Sequence, residues 1–199
     1  MRTTFLAVLL VALECVKGLK LPNFNAVGRR QMIKNEILQL ARAVDRGLTE
    51  TAIDKKKMKD LFETLEKLNA SKNTLQSSNL NAIWLLEYTT SDSILGRGSD
   101  PRVGPIFQKI DAINLTAENS ETVRYLNLFN IPRKVTATLR PISGSKVAVQ
   151  FKRFSVGPFT FNAPESFKGE LDVTYLDEDL RLSRGDKGNI FVLTKFCGL

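Results

Sequence analysis

Gly169-Glu170-Leu171-Asp172-Val173-Thr174-Tyr175-Leu176-Asp177-Glu178-Asp179-Leu180-Arg181-Leu182-Ser183-Arg184-Gly185-Asp186-Lys187-Gly188-Asn189-Ile190-Phe191-Val192-Leu193-Thr194-Lys195 is the run whose reading decides the fold. Leu171, Val173 and Tyr175 alternate with Glu170, Asp172 and Thr174, the two-residue period of a half-buried strand. Asp177-Glu178-Asp179 is too acidic and too short for a core element, so it turns the chain. Leu180 and Leu182 then alternate with Arg181 and Ser183 in a second strand. Gly185-Asp186-Lys187-Gly188-Asn189 is another turn, with glycines for backbone angles that other residues resist. Ile190 to Phe196 is a third strand, apolar enough to close a sheet.

Working back toward the N-terminus, the same period recurs. Leu80 to Thr89 reads as a strand carrying Trp84, the chain's sole tryptophan. Val103 to Asp111 is the next. Glu121 to Asn130 follows, with Val123, Tyr125 and Phe129 on one face. Lys134 to Ile142 sets Val135, Ala137 and Leu139 on one side, and Lys146 to Phe154 does so with Val147, Val149 and Phe151. Gly144 between them is a hairpin signal. Phe159 and Phe161 line a short strand after Gly157-Pro158. The total is eight or nine strands with short links, the pattern of an antiparallel barrel or sandwich. Periodicity alone leaves that choice open. Closure into a barrel removes sheet edges and can enclose one small ligand.

Ahead of the strands the period changes. Ile33, Ile37, Leu38, Ala41, Val44 and Leu48 fall at helical spacing, with Gly47 as the stop. A second helix, capped by Thr49 or Thr51, runs through Lys55-Lys56-Lys57 to about Leu68. Its apolar face is Met58, Leu61, Phe62, Leu65 and Leu68. These stripes either pack on the β-domain or enter a lipid surface, with the lysines at headgroups. Asn69 to Asn79 is a polar linker. Residues 1–18 have the parts of a secretory signal: Arg2, an apolar run from Thr3 to Leu13 too short to span a bilayer, and small residues before a cleavage point after Gly18. Residues 19–31 are basic and free of acidic residues, and form a candidate transit segment. The domain reading is therefore 1–18 signal, 19–31 transit segment, 32–79 helical region with linker, and 80–199 β-domain.

Charge and chemistry narrow the function. The net charge of +8 divides as +1 over residues 1–18, +5 over 19–80 (12 basic, 7 acidic) and +2 over 81–199 (15 basic, 13 acidic). A basic helical region before a nearly balanced β-domain suits an anionic membrane surface better than a nucleic-acid groove. The chain has no histidine, which removes the usual triads and most zinc sites. Cys15 and Cys197 are the two cysteines, and loss of Cys15 with a signal would leave no disulfide. Gly96-Arg97-Gly98-Ser99-Asp100-Pro101 lacks the strand, helix and lysine of a phosphate loop. No cofactor or metal ligand set is expected. The carboxylates Asp177, Glu178 and Asp179 are read as turn structure, with Arg181 or Arg184 as counter-charge, rather than as acid–base or cation-binding groups.

The stretch Thr174 to Asp186 resembles, almost residue for residue, the C-terminal signature of the plastid lipid-associated proteins, the fibrillins. Its motif residues here are Tyr175, Asp177, Asp179, Arg181, Arg184, Gly185 and Asp186. Leu80 to Thr89 resembles the family's first barrel strand, with Ala82 where the more distant lipocalin pattern has glycine, and Val103 to Asp111 its Gly-x-Ile-x-Gln-x-Ile-Asp pattern. The resemblance implies a mainly β chain: a lipocalin-like antiparallel β-barrel preceded by two α-helices. It also implies a plastid location at thylakoids or plastoglobules. A signal peptide followed by a transit segment would be the route in algae with complex plastids. From lipocalin-like barrels comes one packing expectation, Arg184 over Trp84. Trp84, Phe107, Tyr125, Phe129, Phe151, Phe161 and Tyr175 are the candidate barrel lining. The leading function is a non-enzymatic protein that holds an apolar lipid (carotenoid, quinone or acyl lipid) and docks on an anionic plastid membrane or plastoglobule. The alternative is a structural coat or photosystem-associated protein with no ligand, and a barrel enzyme acting on plastid lipids ranks last. Nucleic acid is not an expected partner, and the sequence sets no oligomeric state.

Overall fold

The structure is a computed structural model that describes residues 26–69, 71–98 and 100–199. The chain falls into two units, Met1–Met32 and Ile33–Leu199. Of the first, the described part is the opening of helix α1. The signal reading of residues 1–18, and residues 19–25 of the transit reading, lie outside the described residues.

Helix α1 spans Ala26–Ala43 and is followed by a 3-10 turn, Asp45–Gly47. Gly47 is required there. It sits at φ +109°, and a Cβ would lie 2.6 Å from the Thr89 carbonyl oxygen. Helix α2, Ala52–Lys67, starts with a capping box, in which the Thr51 hydroxyl accepts from the Asp54 amide and the Asp54 carboxylate accepts from the Thr51 amide. From Ile33 onward both apolar stripes are buried. Ile33, Ile37, Ala41 and Val44 of the first segment and Met58, Phe62 and Leu65 of α2 form one core with Tyr88, Tyr175, Leu180, Leu182, Ile190 and Val192. From Ile33 onward these stripes therefore cover the sheet and are not free for lipid.

The strands are β1 Ala82–Thr89, β2 Phe107–Asp111, β3 Thr116–Tyr125, β4 Phe129–Pro141, β5 Lys146–Val156, β6 Phe159–Asn162, β7 Lys168–Leu176, β8 Leu180–Gly185 and β9 Ile190–Gly198. A one-turn helix α3, Asp92–Leu95, follows β1. Pairing runs β4-β3-β2-β1-β9-β8-β7-β5, and β4 also pairs with β5, so eight antiparallel strands close a ring. β6 folds back on the far end of β5, outside that ring. This is the lipocalin-like barrel preceded by helices that the resemblance implies. Two strand readings are corrected: Val103 to Asp111 forms a strand only from Phe107, after Gly104 at φ +75°, and Glu121 to Asn130 is not continuous, because residues 126–128 turn the chain between β3 and β4. Leu126 and Asn127 take φ of +50° and +56° there, the left-handed turn that periodicity does not reveal.

Two bulges reassign side chains. Register shifts between Leu86 and Tyr88 in β1, and between Val173 and Tyr175 in β7. One extra residue turns the following side chain to the opposite face. Tyr88 and Tyr175 thus join the core under the helices, whereas Leu86 and Val173 belong to a second core with Leu80, Ala82, Trp84, Ile106, Ile110 and Leu193 inside the ring.

Candidate lipid site and the motif around it

A cavity of about 570 Å³ lies inside the ring and receives side chains from all eight ring strands. Alternation explains the wall. Val135, Ala137 and Leu139 of β4 and Val147, Val149 and Phe151 of β5 point inward at every second position. One end is closed by the segment before β1, where Leu75 and Leu80 reach the cavity. Trp84 is fully buried just inside this end, and its Nε1 donates to the Leu80 carbonyl at 3.1 Å.

The second strand of the quoted run works the other way round from its hydropathy pattern. Leu180 and Leu182 face the helices, and Arg181 and Ser183 face the cavity. The leucines look outward because the outer face is itself covered by helices. Arg181, not Arg184, lies over Trp84, with its guanidinium carbon 4.9 Å from the ring centroid. Arg184 is three positions further along, an odd number, so it must emerge on the opposite face. There its Nε and Nη2 donate to the two oxygens of Glu66 at 2.8 and 2.7 Å, and it covers the Phe62 ring at 5.1 Å.

Arg181 has 0% exposure. Its Nη2 donates to the Gln108 side-chain oxygen, and Gln108 donates in turn to Asn119 at 2.9 Å. Nε and Nη1 of Arg181 and the hydroxyl of Ser183 have no hydrogen-bond partner among the described residues. Burial pulls the Arg181 pKa down to about 9, so the group remains a cation at neutral pH.

The acidic turn has a different partner from the one expected. Asp177 is bound by Lys34 of α1 at 2.9 Å, by the Tyr175 hydroxyl at 2.6 Å and by the Leu180 amide at 2.8 Å; Lys34 also reaches Asp179. The counter-charge is therefore Lys34 rather than Arg181 or Arg184. Burial alone would push Asp177 up and Lys34 down. The hydrogen bonds outweigh it, holding the carboxyl below its usual range and the ammonium above its own. In the same motif, the Asp186 carboxylate accepts from the Glu170 amide at 3.3 Å. Gly185 lies beside the Phe191 ring, which a Cβ would approach to 3.3 Å.

Of the candidate lining residues, Phe107 and Phe151 reach the cavity. Trp84 is buried beneath it. Tyr175 is carried by the β7 bulge to the helix side. Tyr125, Phe129 and Phe161 are exposed on hairpins. Strand directions put the β3–β4 and β5–β6 tips at the end of the ring opposite Leu80, where Leu126, Leu128, Phe129, Val156, Phe159 and Phe161 are all exposed. Ser183 and Gln108 were missed as site residues, and Arg181, named as a motif residue, was missed as cavity lining. For Arg181 and Ser183 the signal is a polar side chain on the inward parity of a strand whose apolar parity is taken by helices, whereas Gln108 shares the inward parity of β2 with Ile110.

A closed antiparallel barrel with a largely apolar interior is the lipocalin-like architecture, which can enclose one small ligand. The PAP_fibrillin family profile matches residues 31–194. The chain is 30% identical over 177 residues to "Probable plastid-lipid-associated protein 5, chloroplastic" of Arabidopsis thaliana, covering 88% of this chain and 74% of that protein. It is 28% identical over 224 residues to "Plastid lipid-associated protein 2, chloroplastic" of Brassica campestris, covering 85% and 70%. A Citrus unshiu relative, "Plastid-lipid-associated protein, chloroplastic", is also 28% identical, covering 82% and 67%. No solved structure matches. The chain belongs to the PAP_fibrillin family, whose members are plastid lipid-associated proteins, the fibrillins.

Proposed function

We propose that this chain is a non-enzymatic, lipid-binding protein of the plastid that holds an apolar lipid in the barrel and docks on an anionic lipid surface at a thylakoid or plastoglobule. The single observation that carries the reading is the 570 Å³ interior with its aliphatic and phenylalanine wall. Each 100 Å² of apolar ligand surface removed from water there contributes about 2.5 kcal/mol before the costs of association. At roughly 30 Å³ per heavy atom, the share a water molecule has in the liquid, the space suits about 19 heavy atoms. That size favours an acyl chain over a whole carotenoid.

Docking is assigned to the hairpin tips rather than the helices. Leu128 and Phe159 are 76% and 66% exposed at the end opposite the Trp84 floor. Residues 123–134 and 152–162 together carry five basic residues and no acidic one, complementary to an anionic headgroup layer. Seating these tips in lipid would bring the open end of the barrel to its ligand. Residues 1–18 and 19–31 would act as signal and transit segment and deliver the chain through the ER. That route is tested by the destination of a fluorescent protein fused behind residue 31.

The test of the function uses the whole chain. Lipid extracted from protein purified from its own organelle should include a stoichiometric apolar species. Flotation with anionic vesicles should succeed, and should fail for Leu128→Ser combined with Phe159→Ser. Purified protein free of lipid and unable to take any up would refute the cavity reading and favour a structural coat.

A further inference from the structure

We propose that the barrel recognises the carboxylate of a long-chain fatty acid, with the head of the ligand against Arg181 and Ser183 and its chain along the apolar wall. The proposal rests on the cavity reading above and adds the chemistry of the ligand's polar end.

Three donors decide it. Nε and Nη1 of Arg181 and the Ser183 hydroxyl are unpartnered among the described residues, and both residues line the cavity with no exposed surface. Positions 181 and 183 stand on one face of β8, about 7 Å apart along the strand. Strand register sets Arg181 level with Leu193 and Leu86, one inward layer above Trp84, so Arg181 stands at the floor of the cavity and Ser183, level with Phe191, one layer above it. The third guanidinium nitrogen is already committed to Gln108, which is itself tied to Asn119, and the Trp84 ring lies against the group. That arrangement holds the fork still, while Nε and Nη1 keep no protein partner among the described residues.

An arginine left this way in an apolar interior is costly unless something pairs with it. Asp177 and Asp179 belong to Lys34, and Glu66 belongs to Arg184. Glu121, which also borders the cavity, is engaged by Arg102 and Arg133 near its other end. Glu170 and Asp186 border the cavity too, but Glu170 pairs with Lys146 and Asp186 accepts from the Glu170 amide. None of these carboxylates pairs with Arg181, so the charge is left for a ligand. A carboxylate fits the planar fork through two parallel hydrogen bonds and brings one negative charge for one positive charge. A phosphate monoester brings about 1.5 to 2 negative charges, more than one arginine neutralises. A neutral quinone or alcohol would satisfy a donor but leave the charge unpaired. An 18-carbon acid has a heavy-atom count close to the capacity of the space.

The experiment is displacement of a fluorescent apolar probe from the full chain by oleate, methyl oleate, oleyl alcohol and oleyl phosphate at neutral pH. Oleate should bind at least tenfold more tightly than the ester and the alcohol, and more tightly than the phosphate. Arg181→Met should cut oleate affinity by at least tenfold and leave methyl oleate within about threefold, erasing the preference. Ser183→Ala should weaken oleate by a smaller factor, and Arg184→Met, on the outer face, should leave the preference as it is. Ester and acid binding wild type equally, or phosphate binding best, would overturn the carboxylate assignment while leaving the cavity reading intact. If none of the four displaces the probe, both fall. The comparison of ligands on wild type needs no variant, so a poorly folding Arg181→Met would not rescue the proposal.

Discussion

Replacing Lys34 with methionine tests how the helical cover is fastened to the barrel. The Lys34 side chain is 8% exposed and that of Asp177 28%, so this pair is shielded from water, whereas Asp179 is 65% exposed and adds little. Removing one partner of a well-buried pair costs about 3–5 kcal/mol. Here Asp177 keeps the Tyr175 hydroxyl and the Leu180 amide, and methionine can occupy the path of the lysine stem, so the expected loss is about 2 kcal/mol. For a chain of this size that lowers Tm by about 4–8 °C. The pH dependence carries a second signature. Asp177 has a folded pKa below its unfolded value, so its contribution is present above about pH 4 and is lost as pH falls through the folded value. Lys34 has a folded pKa above its unfolded value, so its contribution is present below about pH 10 and is lost as pH rises through the folded value. In Lys34→Met the share of the alkaline limb that Lys34 supplies should vanish and the acid limb should flatten. Urea titrations followed by circular dichroism across that range make the measurement. A variant within about 0.5 kcal/mol of wild type at neutral pH, with its acid slope unchanged, would refute the clamp.

Three further outcomes are expected. Arg181→Met should raise the stability of ligand-free protein by about 1–4 kcal/mol, read as a higher Tm, because it removes a buried cation with open donors. Since the folded pKa of about 9 lies below the unfolded one, the charge burdens folding below pH 9 and is relieved above it, so the gain should shrink in alkali. Arg184→Met should cost only about 1 kcal/mol by chemical denaturation, because the side chain is 37% exposed despite its paired bonds to Glu66. Gly47→Ala should cost more than about 2 kcal/mol, because it combines a positive φ with a Cβ 2.6 Å from the Thr89 oxygen; a neutral melt would mean that the turn relaxes freely.

Reading along the strands succeeded where one rule governs both faces. The inward sets on β4 and β5 follow from strict alternation, because these strands have an interior on one side and no helix on the other. The arginine expected over Trp84 from lipocalin-like barrels was Arg184, but strand parity gives the place to Arg181. On β8 both faces are buried, the leucines serve the helices, and the polar parity is left to the cavity. Tyr175 was misassigned for a different reason: the bulge at Thr174 has no mark in the hydropathy period. Tyr125 and Phe129 flank a turn built from Leu126 and Asn127 in left-handed conformation, in place of the glycine that usually announces one.

Local sequence by itself determined the elements: where polarity alternates, where a threonine caps a helix, and that the run ending in Arg184-Gly185-Asp186 belongs to a fibrillin signature. Closure of β4 onto β5, the face each arginine occupies, and the meeting of Lys34 with Asp177 were decided only in three dimensions. The physical reason is range. Backbone propensity and side-chain period act over a few neighbours, whereas a buried charge finds its partner, or is left without one, through packing between segments 143 residues apart, as for Lys34 and Asp177.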